Sequence, residues 1–165
     1  MPTSRVAVVG AGASALVLDL VQRDYQSLDA VDLSEAALQQ LAGLLGSSAD
    51  RVRRVCADVR DVRFDGPIDV WHDRATFHFL TSPVDQAAYV QRLRDAVPPG
   101  GHVVLATFSP RGPDHCSGLP VTRHSAATLC DLFADSFELV DTFEREHNTP
   151  WGAPQLFTHA LLRRQ

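Results

Sequence analysis

The chain has no lysine: all 15 of its basic residues are arginine, a bias that fits a GC-rich genome as readily as any chemistry. Against 20 acidic residues this leaves a formal net charge of −5, so no global basic field recruits nucleic acid or an anionic membrane surface. Cysteine is scarce and odd in number. Cys56, Cys116 and Cys130 form no CxxC pair, which excludes a disulfide framework and zinc-ligand spacing and suits free thiols in a reducing cytoplasm. No apolar run approaches the roughly 18 residues of a membrane span, and the N-terminus has no charged start leading into a long apolar stretch. Repeats and low-complexity tracts are absent as well. A soluble, cytoplasmic protein with no metal and no membrane partner is expected. What is present is ordinary: 165 residues, 45% hydrophobic and 21% charged, enough for one domain over 1–165 with a core that needs neither disulfide nor metal.

Strand-like and helix-like segments alternate along the chain. Residues 5–9 form a short apolar run suited to a strand buried on both faces, ended by Gly10-Ala11-Gly12. Ser14 then caps a helix through Leu16, Leu20 and Val21. Residues 28–32 form a second strand, and Ser34 caps a helix with an apolar face of Ala37, Leu38, Leu41, Leu44 and Leu45. Strands are predicted over 52–57 and 68–71, and a helix over 83–97 stopped by Pro98-Pro99-Gly100-Gly101. Residues 102–108 are the clearest apolar strand, followed by an irregular segment over 109–123. A helix from about residue 125 and strands over 137–145 and 156–162 complete the chain. This pattern predicts a Rossmann-like, doubly wound α/β sheet, mostly parallel, with helices on both faces. Ligands of such sheets sit outside the carboxyl ends of the strands, so the informative positions follow each strand: Gly10 to Ser14, Asp32, Asp58, His72 to Arg74 and Phe108 onward.

The glycine turn lets a ligand approach the backbone, and Asp32 is placed to accept from both hydroxyls of a ribose. Two cofactor classes use that geometry. Gly10, Gly12 and Ala15 also read as GxGxxA, with Asp32 about 20 residues on, which is a dinucleotide fingerprint. On that reading the helix start near Ser14 binds a pyrophosphate and the protein is an NAD(P)- or flavin-dependent oxidoreductase. A tight turn with no ligand is the third possibility.

The middle of the chain separates these readings. Cys56-Ala57-Asp58-Val59 puts a carboxylate after the third strand, within reach of an adenine amino group. Ile68 to Asp73 then leads into a helix running through Leu93 to Pro98-Pro99-Gly100-Gly101 and the strand His102-Val103-Val104-Leu105. This order resembles the class I S-adenosylmethionine-dependent methyltransferases over nearly the whole chain, from Val6 to Leu162. The stretch from Trp71 to Leu80 is similar to the subgroup that includes small bacterial methyltransferases and certain protein-lysine methyltransferases. The resemblance implies a sheet of order 3-2-1-4-5-7-6 with an antiparallel last strand, and S-adenosyl-L-methionine as cofactor. It implies that Gly10, Ala11 and Gly12 underlie the methionine and ribose. Asp32 then holds the ribose hydroxyls with Leu33 against adenine, Asp58 and Val59 meet the adenine edge, and His72 and Asp73 lie below the sulfonium.

Two features depart from that family. Val8 stands where an acidic residue usually anchors the cofactor's ammonium group. Only residues 1–4 precede the first strand, where relatives carry a helix that covers the cofactor. An open pocket, a lid supplied by a partner or second copy, or a degenerate fold that binds without catalysing are the corresponding expectations.

Methyl transfer from a sulfonium is an in-line displacement by an N, O or S nucleophile of a small molecule or a protein, and the protein mainly aligns the reactants. Asp73 and His78 are the candidates for a general base or for orienting the substrate; pairing of Asp73 with Arg74 and packing of His78 among phenylalanines are the competing roles. Cys116 beside His115 suggests a thiolate nucleophile, which this chemistry does not need. Trp151 either walls the substrate pocket or seals the end of the sheet.

Overall fold

The computed structural model describes residues 3–149, 152 and 154–165. The first half alternates β1 (Val6–Val9), α1 (Ala15–Gln22), β2 (Leu28–Asp32), α2 (Glu35–Leu45) and β3 (Val52–Cys56). It continues with β4 (Val70–Arg74), a 3₁₀ turn (Phe77–Phe79), α3 (Pro83–Ala96) and β5 (His102–Phe108). A small hairpin, β6 (His115–Cys116) and β7 (Leu119–Pro120), precedes α4 (Ala126–Phe133), β8 (Phe137–Asn148) and β9 (Pro154–Arg164).

Seven strands form one sheet in the order β3-β2-β1-β4-β5-β9-β8. With the β6–β7 hairpin set aside, this is the predicted 3-2-1-4-5-7-6. The first five strands pair in parallel, β9 runs antiparallel to β5, and β8 runs antiparallel to β9. The fold is Rossmann-like. Alternation along β1 splits the core between the two faces: Val6 and Val8 pack with Val17, Leu38 and Leu41, while Ala7 and Val9 pack with Trp71, Tyr89, Leu93 and Phe133. Helices α1 and α2 therefore cover one face, and α3 and α4 the other.

The helices begin where their caps dictate. Ser14, Ser34, Ser82 and Ser125 each accept a backbone N–H of the first turn, and Pro83 takes the first position of α3, where no N–H is needed. Among the described residues no helix is long and apolar enough to cross a membrane, and no group of His, Cys, Asp and Glu is arranged to hold a metal.

Two predicted segments differ. β4 covers Val70–Arg74 rather than 68–71, because Ile68 and Asp69 are held by Ala96 and Arg5 carbonyls outside the strand ladder. His72 and Asp73 thus lie inside a strand. The segment read as irregular over 109–123 contains the β6–β7 hairpin, whose Ser117-Gly118 turn has φ of 51° and 80°. Two successive positive φ values match the twist of a two-residue hairpin loop.

Candidate functional site

β1 leads into a turn in which Gly10 and Gly12 both take positive φ, 60° and 48°. At Gly10 the missing side chain is a requirement of space too: a Cβ there would stand 2.0 Å from Thr76 Oγ1. Gly10→Ala is expected to cost about 2 kcal/mol, from the left-handed backbone and the enforced rotation of Thr76, read as a lower urea midpoint at unchanged slope. Gly12 N–H donates to one carboxylate oxygen of Asp32 at 2.7 Å, and Ser34 N–H donates to the other at 2.8 Å. This ties the end of β2 to the turn. Each oxygen keeps acceptor capacity beyond these bonds, and Asp32 lines the first cavity.

Asp58, past the end of β3, is clamped by Arg60. It accepts from Arg60 N at 2.8 Å, Nε at 2.9 Å and the guanidinium terminus at 2.6 Å. That bonding holds the Asp58 carboxyl below the usual range, and Arg60 also reaches Asp85. Leu33 is 72% exposed on the cavity rim, and Val59 is buried beside Asp58.

The turn after β4 is governed by Asp73. Its fully buried carboxylate accepts from Thr76 N at 2.9 Å, Phe77 N at 3.1 Å and Tyr89 OH at 2.7 Å, while Trp71 Nε1 donates to the Tyr89 hydroxyl at 3.1 Å. Burial pushes the carboxyl up to about 6 against the lowering effect of these hydrogen bonds. The turn so held contains Ala75 at φ 67°, a strained conformation for a residue with a Cβ. His78 is also fully buried, with its ring 4.6 Å from those of Phe79 and Phe108 and no hydrogen-bond partner on either nitrogen. Burial, with a smaller contribution from His124, lowers it to about 4. Neither Asp73 nor His78 lines the two cavities that meet at this turn; both support the turn that does.

Two cavities meet at Gly10 and Ala75. The first, about 550 Å³, is bounded by the ends of β1, β2 and β3 through Asp32, Leu33, Asp58 and Val59. Its remaining wall is Thr76, Phe79, Leu80 and Thr81, with Leu119 and Pro120 of β7 also lining it. Sequence reasoning missed this wall; the Ser117-Gly118 pair is the signal that could have placed the hairpin. The second cavity, about 470 Å³, lies between the start of α1 and the sheet, lined by Val8, Ala11, His72, Arg74, Phe108 and Phe157 among others. Among the described residues no carboxylate lines it, and Val8 presents an apolar side chain there. Burial and the Arg74 charge lower the His72 imidazole, leaving it neutral at pH 7. The structure thus brings Gly10, Ala11, Asp32, Leu33, Asp58, Val59 and His72 onto the two cavities. Trp151 lies outside the described residues.

A family model described as "Methyltransferase domain" matches residues 6–101. The chain belongs to the methyltransferase-domain family. The dinucleotide reading of Gly10, Gly12 and Ala15 gives way to it. A SAM-dependent methyltransferase from Methanosarcina mazei is 13% identical with a TM-score of 0.81, and the alignment covers 99% of this chain and 93% of that one. The 1,6-didemethyltoxoflavin-N1-methyltransferase of Burkholderia thailandensis, solved with 1,6-didemethyltoxoflavin and S-adenosylhomocysteine, is 21% identical with a TM-score of 0.78 over 99% and 72% of the two chains. N-methyltransferase NodS from Bradyrhizobium japonicum WM9 is 12% identical with a TM-score of 0.74 over 98% and 78%. At these identities the likeness is one of fold. A comparison of this chain with curated proteins found no match.

Proposed function

We propose that this methyltransferase domain uses S-adenosylmethionine to methylate an N, O or S nucleophile of a small molecule, in the cytoplasm, where its three free cysteines stay reduced. The observation that carries the reading is the meeting of two cavities at Gly10 and Ala75, one suited to a nucleoside and the other, beside the glycine turn, to the methionine end of the cofactor with the acceptor next to it. The residues fit the cofactor: glycines leave room for its backbone approach, Asp32 offers acceptors for ribose hydroxyls, and Leu33 offers an exposed apolar face. Asp58, though clamped by Arg60, retains acceptor capacity for the adenine amino group.

When bound, the cofactor supplies an already activated methyl group on a sulfonium. The chain's work is to align and to exclude water. Gly10 and Ala75 form the floor between the cavities, where donor and acceptor face each other. Asp73 fixes that floor as a positioning residue, and His78 packs beneath it. His72, neutral at pH 7 and lining the second cavity, is the residue suited to take a proton from the acceptor. Val8 leaves the cofactor's ammonium group without a carboxylate partner in the second cavity, which favours modest affinity and keeps a binding-only role as the second reading.

Calorimetric titration with S-adenosylhomocysteine tests the proposal, with NADH as control. Binding of the first alone is expected, and Asp32→Ala should weaken it at least tenfold, as loss of a hydrogen-bonded charged group does. An unaltered affinity in Asp32→Ala, or binding of NADH in its place, overturns the assigned pose.

A further inference from the structure

β8 ends the seven-stranded sheet and pairs with β9 alone. It runs for 12 residues, Phe137–Asn148, about twice the usual length of a strand. From Val140 to Asn148 every residue is exposed, on both faces of the sheet, with Phe143 52% accessible. Ordering such a stretch costs backbone entropy that little burial within the chain offsets. Among the described residues no backbone group of 138–148 bonds to other backbone outside the β8–β9 ladder, so the outward N–H and C=O groups lack a strand. Asp141 accepts the Thr142 N–H at 2.8 Å, a side-chain substitute for that strand. Long edges are commonly blunted by proline or short length; β8 has neither, only a bulge at Val140, which the β9 register passes over.

The charges along β8 fit a second copy of the same strand. An antiparallel copy related by a two-fold axis is centred on one residue, because facing residues share a face and faces alternate with period 2. Centred on Asp141, Glu144, Arg145 or Glu146, the axis sets a charge against its own image, which is destabilising. Centred on Thr142, the bulge at Val140 confines the regular ladder to Asp141–Phe143. Centred on Phe143, the ladder runs from Asp141 to Arg145 without meeting the bulge. Asp141 then faces the partner's Arg145, Arg145 faces the partner's Asp141, and the two Phe143 rings face each other. Cross-strand pairs of opposite charge and of aromatic rings are the ones that stabilise a sheet.

Both charges are available for that pairing. Among the described residues neither Asp141 nor Arg145 has an ion-pair partner, whereas Glu138 is held by Arg163 and Glu144 by Arg111. Phe143 lies flat on His159 of β9, the rings 4.7 Å apart and 5° from parallel. Against its own image, that stack extends across the axis into a row of rings, His159 and Phe143 from each copy.

We propose that the protein forms a homodimer through β8, a two-fold axis at Phe143 joining two sheets into one continuous sheet. The inference is independent of the methyl-transfer reading. Strand directions reverse across the axis, so the two glycine turns lie at opposite ends and the second copy is no lid over either cavity. The ladder is short beside the roughly 800 Å² that each partner of a standard complex buries, so a dissociation constant of about 10–100 μM is expected.

Sedimentation equilibrium over about 5–500 μM tests this on wild type, Asp141→Arg, Arg145→Asp and the double exchange Asp141→Arg/Arg145→Asp. Wild type is expected to pass from monomer to dimer across that range. Either single substitution sets like charges opposite each other at both ends of the ladder and should weaken the dimer at least tenfold. Mixing the two single variants matches the charges again and should restore a dimer with one copy of each; the double exchange should dimerise alone. Both positions are exposed, and unchanged thermal melts at low concentration confirm that each variant folds. A wild type that stays monomeric at the top of the range overturns the proposal and leaves the edge to a strand of another protein. A dimer that both single variants keep at wild-type strength also overturns it, because the contact then lies elsewhere. So does loss of the dimer in the single variants with no recovery in the mixture or the double exchange.

Discussion

Replacing Asp73 by alanine is expected to destabilise the protein by about 3–5 kcal/mol, because it strands the Thr76 and Phe77 N–H groups and the Tyr89 hydroxyl around a buried position. For a chain of this size that loss lowers the melting temperature by about 10–15 °C. Each partner alone is worth less. Tyr89→Phe removes one donor and leaves the Trp71 indole N–H without its acceptor, so about 1–2 kcal/mol is expected. Asp73→Asn falls between the two, since its amide oxygen still accepts while its NH₂ confronts a donor. The structural loss reaches the site through Ala75, Thr76 and Phe79, which line the nucleoside cavity. Asp73→Ala should therefore weaken S-adenosylhomocysteine binding along with stability. Calorimetry and thermal melts on the three variants check this. A stable Asp73→Asn that binds normally yet has lost all turnover would instead make the carboxylate a general base.

The contrast between Asp73 and Asp32 shows which parts of the site are legible in a sequence. Asp32 ends a sharply bounded apolar strand, and its position after β2 follows from periodicity and sheet topology alone. Gly10, Gly12 and Asp58 are legible for the same reason. Asp73 sits in Trp71-His72-Asp73-Arg74, where polar residues mark a strand end by pattern, yet the strand continues through Arg74. What buries Asp73 is Tyr89 on α3, 16 residues on, a tertiary partner with no local signature. Extending β4 to Arg74 by period 2 would have put His72 and Arg74 on one face and disclosed the second cavity's polar edge. The cover of the nucleoside cavity was hidden differently. Leu119 and Pro120 lie in a stretch dense in Pro and Gly, and only the two-residue spacing between Cys116 and Leu119 marks it as a hairpin. Distant alignment of β5 with β9 then brings Phe157 beside Phe108, a contact no window of sequence contains.

Acid should expose a second buried group. His78 is neutral in the fold, with its imidazole lowered to about 4 from an ordinary value near 6.5. The unfolded chain therefore binds a proton that the native state refuses, and stability falls as pH drops from 6.5 toward 4. Between pH 7 and pH 4.5 the His78 contribution to that loss is about 2.5 kcal/mol. Asp73 acts in the opposite sense. Its carboxyl, pushed up to about 6, takes a proton in the native state before the unfolded chain does, so it adds about 2 kcal/mol of stability over the same interval. The two nearly cancel in the wild type, and burial of His124, His72 and His159, all lowered, tips the balance toward acid lability. Removing one member of the pair should uncover the other. His78→Leu, whatever its effect at pH 7, is expected to lose about 2–3 kcal/mol less than wild type on going to pH 4.5, and Asp73→Asn to lose about 2 kcal/mol more. Urea midpoints at the two pH values measure both differences directly. Parallel pH profiles for His78→Leu and wild type would mean that His78 takes up its proton in the native state as readily as in the unfolded chain, and that its burial does not keep it neutral.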